Sequence, residues 1–266
     1  MADVNGQPVA LITGASSGIG ERLAYEIAAD QYILVLVSDV EGELNRVAGI
    51  LTSKLNATVV ALPVDLTKHD AGEIIEDELR ERKLVPDVLV NCAGYGMNGS
   101  ALEMNINEQI AMIDLNARAL TDLTLRFLPY MQNMERGGVI NVASLASFMP
   151  GPYMSVYYAT KAYVLSFSQA IAAELEGSGV TVTAVCPGPT NTGFQARSEM
   201  TNTLANKLMP VTSAEQIAAA TWAGFKANKK VIIPGATNTM LAEGTRFAPR
   251  GIMAAIMRRL LTPRHS

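Results

Sequence analysis

Cysteine and long apolar runs are both scarce in this chain. Its 266 residues contain only Cys92 and Cys186, and two cysteines in a chain of this length exclude a disulfide framework. Each follows a strand-like run, so we interpret both as reduced packing residues. No apolar stretch approaches the roughly 20 residues that a membrane-spanning helix needs. The N-terminal segment lacks the basic and apolar regions of a secretory signal, so we expect a cytoplasmic protein.

Charged residues are also few. They make up 17% of the sequence against 49% hydrophobic residues, a composition typical of a folded chain with many buried positions. The formal net charge is −4, which disfavours wholesale binding of nucleic acid. The sequence contains neither an internal repeat nor a linker, so residues 1–266 are predicted to form a single domain.

Short apolar runs alternate with helical patterns through most of the chain. Repeated strand–helix units of this kind predict an α/β fold with right-handed crossovers. We therefore predict a Rossmann-like, doubly wound parallel sheet of about seven strands with helices on both faces. The predicted strands are residues 9–12, 32–37, 58–63, 87–90, 138–143, 180–185 and 231–234. Besides the helix after the first strand, the predicted helices are residues 41–55, 70–83, 107–134, 153–175 and 213–228.

The first predicted strand runs into a glycine-rich turn, and a helical stripe follows the turn. A strand, a glycine turn and a helix N-terminus together form an anion site, because the glycines let backbone amides approach a pyrophosphate. Glycines also cap ordinary turns, but the strand–helix context favours a dinucleotide site. The candidate binding residues here are Gly14, Ser16, Ser17, Gly18, Ile19 and Gly20.

Asp39 lies just past the second predicted strand, nineteen residues after Gly20. An acid about 20 residues beyond such a glycine turn accepts hydrogen bonds from the adenosine ribose hydroxyls and repels a 2′-phosphate. The alternative is a solvated aspartate at the start of a turn. We favour NAD over NADP as the cofactor, without excluding NADP.

Tyr157 and Lys161 are four residues apart on a predicted helix, so they share one face of it. A free phenol has a pKa of about 10, and a nearby ammonium lowers it toward the range useful for proton transfer. Ser144, on the loop that leads to this helix, offers a hydrogen bond to a carbonyl oxygen. These side chains predict proton transfer coupled to carbonyl reduction. The alternative is packing with a snorkelling lysine, and spacing alone does not separate Tyr157 from Tyr158.

Further candidates follow the ends of other predicted strands. Asp65 follows the third strand, and Asn91, Ala93 and Gly94 close the fourth, so they lie at the carboxyl edge of the sheet, where such folds bind ligands. The sixth strand leads into a rigid turn that contains Pro187, Gly188, Thr190 and Thr192. The helix over residues 107–134 is predicted to bury Ile110, Ile113, Leu120, Leu123 and Phe127, with Asn116 interrupting its apolar face.

Two segments near the C-terminus carry separate predictions. Residues 193–211 mix apolar and polar side chains and are predicted to be a substrate lid. Residues 246–266 contain five arginines and no acid, and form a predicted basic amphipathic extension. Such a helix either lies on an anionic membrane or, as we favour, docks its apolar stripe on its own domain or on a partner subunit.

A set of short motifs occurs in a fixed order between residue 9 and about residue 235. In this combination the chain resembles the short-chain dehydrogenase/reductase family. The motifs are Thr13-Gly14-x3-Gly18-Ile19-Gly20, Asp65, Asn91-x-Ala93-Gly94, Asn116, Ser144, Tyr157-x3-Lys161 and Pro187-Gly188.

The resemblance implies a role for each catalytic residue. Tyr157, rather than Tyr158, would exchange a proton with the substrate oxygen that Ser144 holds. Lys161 would bind the nicotinamide ribose and tune Tyr157, and Asn116 would position a water in a proton relay. The resemblance also implies a cofactor site, with Asp65 beside the adenine and Thr192 at the nicotinamide end. The other residues of this site are Leu66, Asn91, Ala93, Gly94, Pro187, Gly188 and Thr190.

The function implied by the resemblance is an NAD(P)-dependent oxidoreductase that interconverts a secondary alcohol and a ketone. Flanking side chains, among them Tyr95, Met97 and Met149, predict a small, largely apolar carbonyl or alcohol substrate. The alternative is that these side chains pack in the core or against the cofactor. Two alternatives stay open: a regulatory dinucleotide-binding protein on the same fold without the chemistry, and an enoyl thioester reductase, whose relatives space the Tyr and Lys more widely. We expect a homo-oligomer, with a dimer favoured over a tetramer, and we predict neither a metal site nor a nucleic-acid partner.

Overall fold

Seven strands form one parallel sheet in the computed structural model, which describes residues 6–190, 204, 211–245 and 247–263. The order across the sheet is β3-β2-β1-β4-β5-β6-β7, and every neighbouring pair is parallel. This confirms the predicted fold class. The strands are β1 Val9–Thr13, β2 Ile33–Ser38, β3 Val59–Pro63, β4 Val88–Asn91, β5 Gly138–Val142, β6 Thr181–Val185 and β7 Val231–Ile232.

Helices connect these strands and cover both faces of the sheet. They are α1 Gly18–Ala29, α2 Glu41–Leu55, α3 Ala71–Glu81, α4 Ile106–Ile113, α5 Leu120–Met134, α6 Ser155–Glu174, α7 Ala214–Lys226, α8 Ala236–Thr245 and α9 Arg250–Leu261. A π-helical segment, Asp114–Ala119, joins α4 to α5, and a short 3₁₀ helix, Leu145–Phe148, precedes α6. Helix α8 was not predicted from the sequence.

Each face of the sheet has its own apolar core. Leu11 of β1 belongs to a cluster that includes Phe127 of α5, whereas its neighbour Ile12 belongs to a cluster on the opposite face with Leu23 of α1 and Trp222 of α7. Because both faces are covered, the central strands are apolar at nearly every position instead of alternating with polar residues. The helices packed on both faces of the sheet hold the carboxyl ends of the strands, and the loops that follow them, in fixed positions.

The apolar stripe predicted for the long fourth helix is wrong in its first half. Ile110 and Ile113 are 53% and 41% exposed, whereas Met112 and Asn116 are each 1% exposed. The cause is the π-helical segment Asp114–Ala119, which has more residues in each turn than an α-helix. A single α-helical period extrapolated across it therefore assigns the wrong side chains to the core.

Three predictions concern the lid, a membrane-spanning helix and the C-terminal extension. The predicted lid, residues 193–211, lies almost wholly outside the described residues, as does Thr192. Within the described part of the chain, no helix has the length and apolarity that a membrane crossing requires. Residues 250–261 of the predicted C-terminal extension are helical.

Candidate active site

A cavity of about 920 Å³ opens at the carboxyl edge of the sheet, where open α/β sheets bind their ligands. It is lined by residues that follow strands β1, β2, β3, β4, β5 and β6. The structure thus brings most of the predicted site residues together around one space. Those that line it are Gly14, Ser16, Ser17, Gly18, Ile19, Asp39, Asp65, Leu66, Ala93, Gly94, Ser144, Tyr157, Lys161, Pro187, Gly188 and Thr190.

The glycine turn after β1 is shaped by close backbone contacts. Gly14 has φ +62°, and a Cβ there would lie 2.8 Å from the Cα of Ala93 in the loop after β4. Gly20, which the sequence also predicted as a binding residue, does not line the cavity. A Cβ at Gly20 would lie 2.3 Å from the carbonyl oxygen of Gly14, so this glycine lets α1 pack against the turn.

The N-terminus of helix α1 has backbone amides that could bind an anion. Ser17 is its N-cap in an extended conformation, and its side chain makes no capping hydrogen bond. The first amides of a helix lack intrahelical acceptors and carry the positive end of the helix dipole. Ser16, Ser17, Gly18 and Ile19 all line the cavity, so a phosphate group fits this end of it.

Asp39 places an exposed carboxylate at the same end of the cavity. The hydroxyl of Ser38 lies 3.4 Å from Asp39 Oδ1 and 2.9 Å from Ser16 Oγ, which links the end of β2 to the glycine turn. Among the described residues that line the cavity, Lys161 is the only lysine or arginine. The walls described thus offer a ribose acceptor and no guanidinium for a 2′-phosphate.

Asp65 is part of a fixed turn after β3. The hydroxyl of Thr67 donates to Asp65 Oδ1 at 2.7 Å and its backbone N–H donates at 2.9 Å. The hydrogen bond from the Thr67 side chain is the main cause that lowers the pKa of Asp65. Arg118 holds the loop from the other side by donating to the carbonyl oxygens of Leu66, Thr67 and Lys68 at 3.0–3.1 Å.

Asn91, which the sequence predicted as a cofactor residue, does not line the cavity. It is 3% exposed, and its amide donates to Asn141 Oδ1 at 2.9 Å and to Thr124 Oγ1 at 3.0 Å. The cause is the alternation of side chains along β4. Asn91 points to the same face as Leu89, toward α5, and joins β4 to β5 and α5 instead of facing a ligand.

Ser144 and Tyr157 form the polar centre of the cavity. Ser144 ends the loop after β5 as the N-cap of the 3₁₀ helix, and its Oγ accepts a hydrogen bond from the backbone N–H of Ala146 at 3.1 Å. Its side chain is also hydrogen-bonded to Tyr157, which is 8% exposed. Ser147 fixes this loop to α6, because its hydroxyl donates to the carbonyl oxygen of Lys161 at 2.7 Å.

Burial dominates the proton affinity of Tyr157. It raises the pKa of Tyr157 to about 12, and the hydrogen bond with Ser144 opposes this shift. The sequence predicted the reverse, a phenol with a pKa lowered by Lys161. In the structure the ammonium lies 6.0 Å from the ring centroid of Tyr157, and Nζ donates to the carbonyl oxygen of Val142 at 2.7 Å.

Lys161 is itself strongly perturbed. It is 5% exposed, and burial lowers its pKa to about 8. A buried ammonium is costly unless it is hydrogen-bonded, and the carbonyl of Val142 supplies one such bond. Perturbed titratable groups inside a cleft are a common property of catalytic sites.

Asn116 lies behind the cavity wall and does not line it. Its Nδ2 donates to the carbonyl oxygen of Tyr95 at 2.9 Å and to Thr160 Oγ1 at 3.1 Å, and its Oδ1 accepts from the Tyr95 N–H at 3.1 Å. A Cβ on Gly94 would lie 2.8 Å from that Oδ1 and 3.5 Å from Lys161 Nζ. Asn116 therefore fixes the loop after β4 beside the lysine.

Helices α8 and α9 close the end of the cavity away from the glycine turn. The sequence did not predict that these helices contribute to the site. Met253, Met257 and Leu261 of α9 line it together with Met240 of α8. Met257 and Leu261 are buried against Tyr157 and its neighbours. The apolar stripe of α9 was visible in the sequence, but its docking position was not. The residues of these two helices that line the cavity are Met240, Leu241, Gly244, Thr245, Met253, Ile256, Met257, Leu260 and Leu261.

Known proteins resemble this chain in sequence and in fold. It is 32% identical to an uncharacterized oxidoreductase of Staphylococcus epidermidis, over 70% of this chain and 79% of that one. A short-chain dehydrogenase from Sphingobium yanoikuyae, solved with NADPH, superposes with a TM-score of 0.79 at 34% identity, over 92% of this chain and 94% of that one. The bulky-bulky ketone specific alcohol dehydrogenase from Comamonas testosteroni gives a TM-score of 0.76 at 28% identity, over 97% of each chain.

The family assignment rests on a match that spans most of the chain. The sequence model of the family described as short chain dehydrogenase matches residues 8–203, a range that begins just before β1 and ends beyond β6. These residues include the glycine turn, Ser144, Tyr157 and Lys161, which the structure gathers around one cavity. The chain therefore belongs to the short-chain dehydrogenases, a family of oxidoreductases.

Proposed function

We propose that this protein is an NAD-dependent oxidoreductase that interconverts a largely apolar ketone and its secondary alcohol. The observation that carries the proposal is the hydrogen bond between Ser144 and the buried Tyr157, in a cavity that has an anion site at one end and an apolar wall at the other. The nicotinamide cofactor supplies or accepts the hydride. The glycine turn and the N-terminus of α1 would hold its pyrophosphate, and Asp39 its adenosine ribose.

Tyr157 donates the proton during reduction. A pKa raised by burial keeps the phenol protonated at neutral pH, which is the form that this direction requires. Ser144 holds the substrate oxygen as negative charge develops on it. Lys161, one helical turn further along α6, supplies a positive charge that offsets phenolate as it forms and would bind the nicotinamide ribose.

The sequence predicted a small, largely apolar substrate, and the apolar end of the cavity favours a bulkier one of the same apolar character. Among the described residues, the five methionines that line the cavity are Met97, Met149, Met240, Met253 and Met257. Methionine is flexible and polarisable, so such a wall adapts to ligands of different shape. The likeness to a ketone-specific alcohol dehydrogenase agrees with this substrate class. A panel of cyclic and aromatic ketones tests this substrate class, with turnover measured by the absorbance of the reduced nicotinamide.

Asp39 is proposed to set the cofactor preference. Replacing Asp39 with Arg exchanges a carboxylate for a guanidinium that binds a 2′-phosphate, so the ratio of kcat/KM for NADP to that for NAD should rise on the order of tenfold to a hundredfold. The matched control is Glu41→Arg, since Glu41 is also an exposed acid and does not line the cavity. An unchanged ratio in the Asp39 variant would show that this aspartate is a surface acid only.

Helix α9 is proposed to form the substrate wall. Asn98, which is 9% exposed, donates to the carbonyl oxygen of Leu261 at 3.1 Å and so ties the C-terminal end of α9 to the loop after β4. Deleting residues 250–266 removes the buried Met257 and Leu261, each worth about 1.5–3 kcal/mol of apolar contact.

We expect this deletion to raise KM for a bulky ketone at least on the order of tenfold while the dissociation constant of NADH stays the same. Asn98→Ala should produce a smaller shift in the same direction. Steady-state kinetics with one bulky and one small ketone provide the comparison. Equal losses for both ketones would contradict a role of α9 in substrate selection.

Two other predictions from the sequence remain predictions. We propose a homo-oligomer whose subunits contact each other through the exposed apolar side chains Ile110, Ile113 and Leu125 of α4 and α5. A cytoplasmic location is also retained as a proposal.

A further inference from the structure

Five large apolar side chains are exposed on α8, on α9 and on the turn between them. They form what we name the C-terminal patch: Met240 at 77%, Leu241 at 43%, Phe247 at 88%, Ile252 at 58% and Ile256 at 47% exposure. Met240, Leu241 and Ile256 also line the cavity, so the patch continues into its apolar end. Exposed apolar clusters next to a ligand site commonly mark an interaction surface.

The charge of this region is opposite to that of the rest of the protein. Residues 236–266 contain five arginines and a single acid, Glu243, whereas residues 1–235 contain 16 basic and 24 acidic residues. Arg258 and Arg259 are exposed on α9, the helix that also presents Ile252 and Ile256. Any anionic surface would therefore attract this end of the molecule and repel the remainder.

Helix α9 is docked on one side only. Its inner side chains, Met257 and Leu261, are buried against the cavity wall, while Ile252 and Ile256 remain exposed beside the arginines. A helix that presents apolar and basic side chains together suits the boundary between lipid headgroups and acyl chains. The two uses predicted for the C-terminal extension, internal docking and surface contact, are compatible on this helix.

We propose that the C-terminal patch docks peripherally on an anionic lipid bilayer, with its apolar side chains among the acyl chains and its arginines at the headgroup phosphates. Charge favours this occupant over a second copy of the chain. A two-fold contact through the patch would bring the arginines of two copies together, and like charges in an interface are unfavourable. Docking also turns the apolar mouth of the cavity toward the lipid, which gives a lipophilic ketone a route into it.

Vesicle flotation of the full chain tests the proposal without depending on turnover. The probes are phosphatidylcholine vesicles and vesicles of phosphatidylcholine mixed with phosphatidylglycerol, each at low and at high salt. We expect binding to the mixed vesicles at least about tenfold tighter than to the neutral ones, and weaker at high salt. Equal binding to both compositions, or none to either, would overturn the proposal.

Three variants identify the surface that binds. Phe247→Asp combined with Ile252→Asp should reduce binding to the mixed vesicles on the order of tenfold or more, and Arg258→Glu combined with Arg259→Glu should remove the preference for them. The matched control, Leu55→Asp on α2, changes a side chain of 42% exposure on a helix that contributes nothing to the cavity, and should bind like the original protein.

The fold of each variant is checked by its NADH affinity and its urea midpoint, since the substituted side chains are exposed and lie outside the cavity lining. Unchanged vesicle binding by the Phe247/Ile252 variant would overturn the proposal. A lower molecular mass of that variant in solution, together with no vesicle binding by the original protein, would assign the patch to a second copy instead. Failure of turnover alone has no bearing on either result.

Discussion

Replacing Tyr157 with Phe should lower kcat for ketone reduction on the order of 10²- to 10⁴-fold and leave NADH binding intact. The substitution removes one hydroxyl and keeps the ring that packs against Met154 and Met257. It therefore removes the proton donor without opening a cavity in this cluster. Single-turnover kinetics after mixing with NADH and a bulky ketone measure the chemical step, and fluorescence titration measures NADH affinity.

Tyr158 is the matched control for this variant. It is 8% exposed, like Tyr157, it also lines the cavity, and the two rings meet edge to face with centroids 6.0 Å apart. Its ring packs so closely on Gly151 that a Cβ there would lie 2.2 Å from it. Tyr158→Phe should stay within a few-fold of the original kcat. An inactive Tyr158 variant beside an active Tyr157 variant would reverse the assignment.

Replacing Lys161 with Met should remove most of the activity and also change how stability depends on pH. Burial lowers the pKa of Lys161 from 10.5 to about 8, so the unfolded chain holds this proton more tightly than the folded chain. Between these two pKa values the unfolded state binds more protons, and the free energy of unfolding of the original protein rises with pH. Below pH 8, where Lys161 is protonated in both states, the full burial penalty opposes folding.

The Met variant carries no such penalty. The stability of the variant minus that of the original protein should therefore be greatest near neutral pH and should fall, on the order of 3 kcal/mol, as the pH rises through the window from about 8 to 10.5. The lost bond to Val142 shifts this difference by a constant and does not alter its slope. Urea unfolding across this pH range gives the comparison, and a difference independent of pH would contradict a charged, buried Lys161.

The sequence predicted the features that depend on local signals. The spacing of the glycines from Gly14 to Gly20 is typical of a dinucleotide-binding turn and uncommon elsewhere. The apolar runs that form the strands are short and have clear boundaries. The face of the sheet on which Asn91 lies could also have been predicted from the sequence. Alternation along β4 places it with Leu89, on the α5 side of the sheet, and period-two reasoning applied to the strand itself would have assigned it to the interior.

Other features depend on tertiary contacts that no local pattern records. The stripe of Met253, Met257 and Leu261 was visible as amphipathic, but an amphipathic stripe does not specify which surface it covers. The proton affinity of Tyr157 was predicted from its spacing to Lys161, whereas burial of the phenol controls it. The π-helical segment around Asn116 likewise lacks a sequence signal in the helical period.

The most direct measurement is the oxidation of NADH by the purified protein in the presence of a bulky apolar ketone, with the alcohol product quantified alongside the absorbance of the reduced nicotinamide. We predict one secondary alcohol formed for each NADH consumed, at a rate that Tyr157→Phe abolishes and Tyr158→Phe preserves. NADH that binds tightly while no ketone or alcohol across a broad panel is converted would contradict the enzyme assignment and favour a dinucleotide-binding regulatory protein.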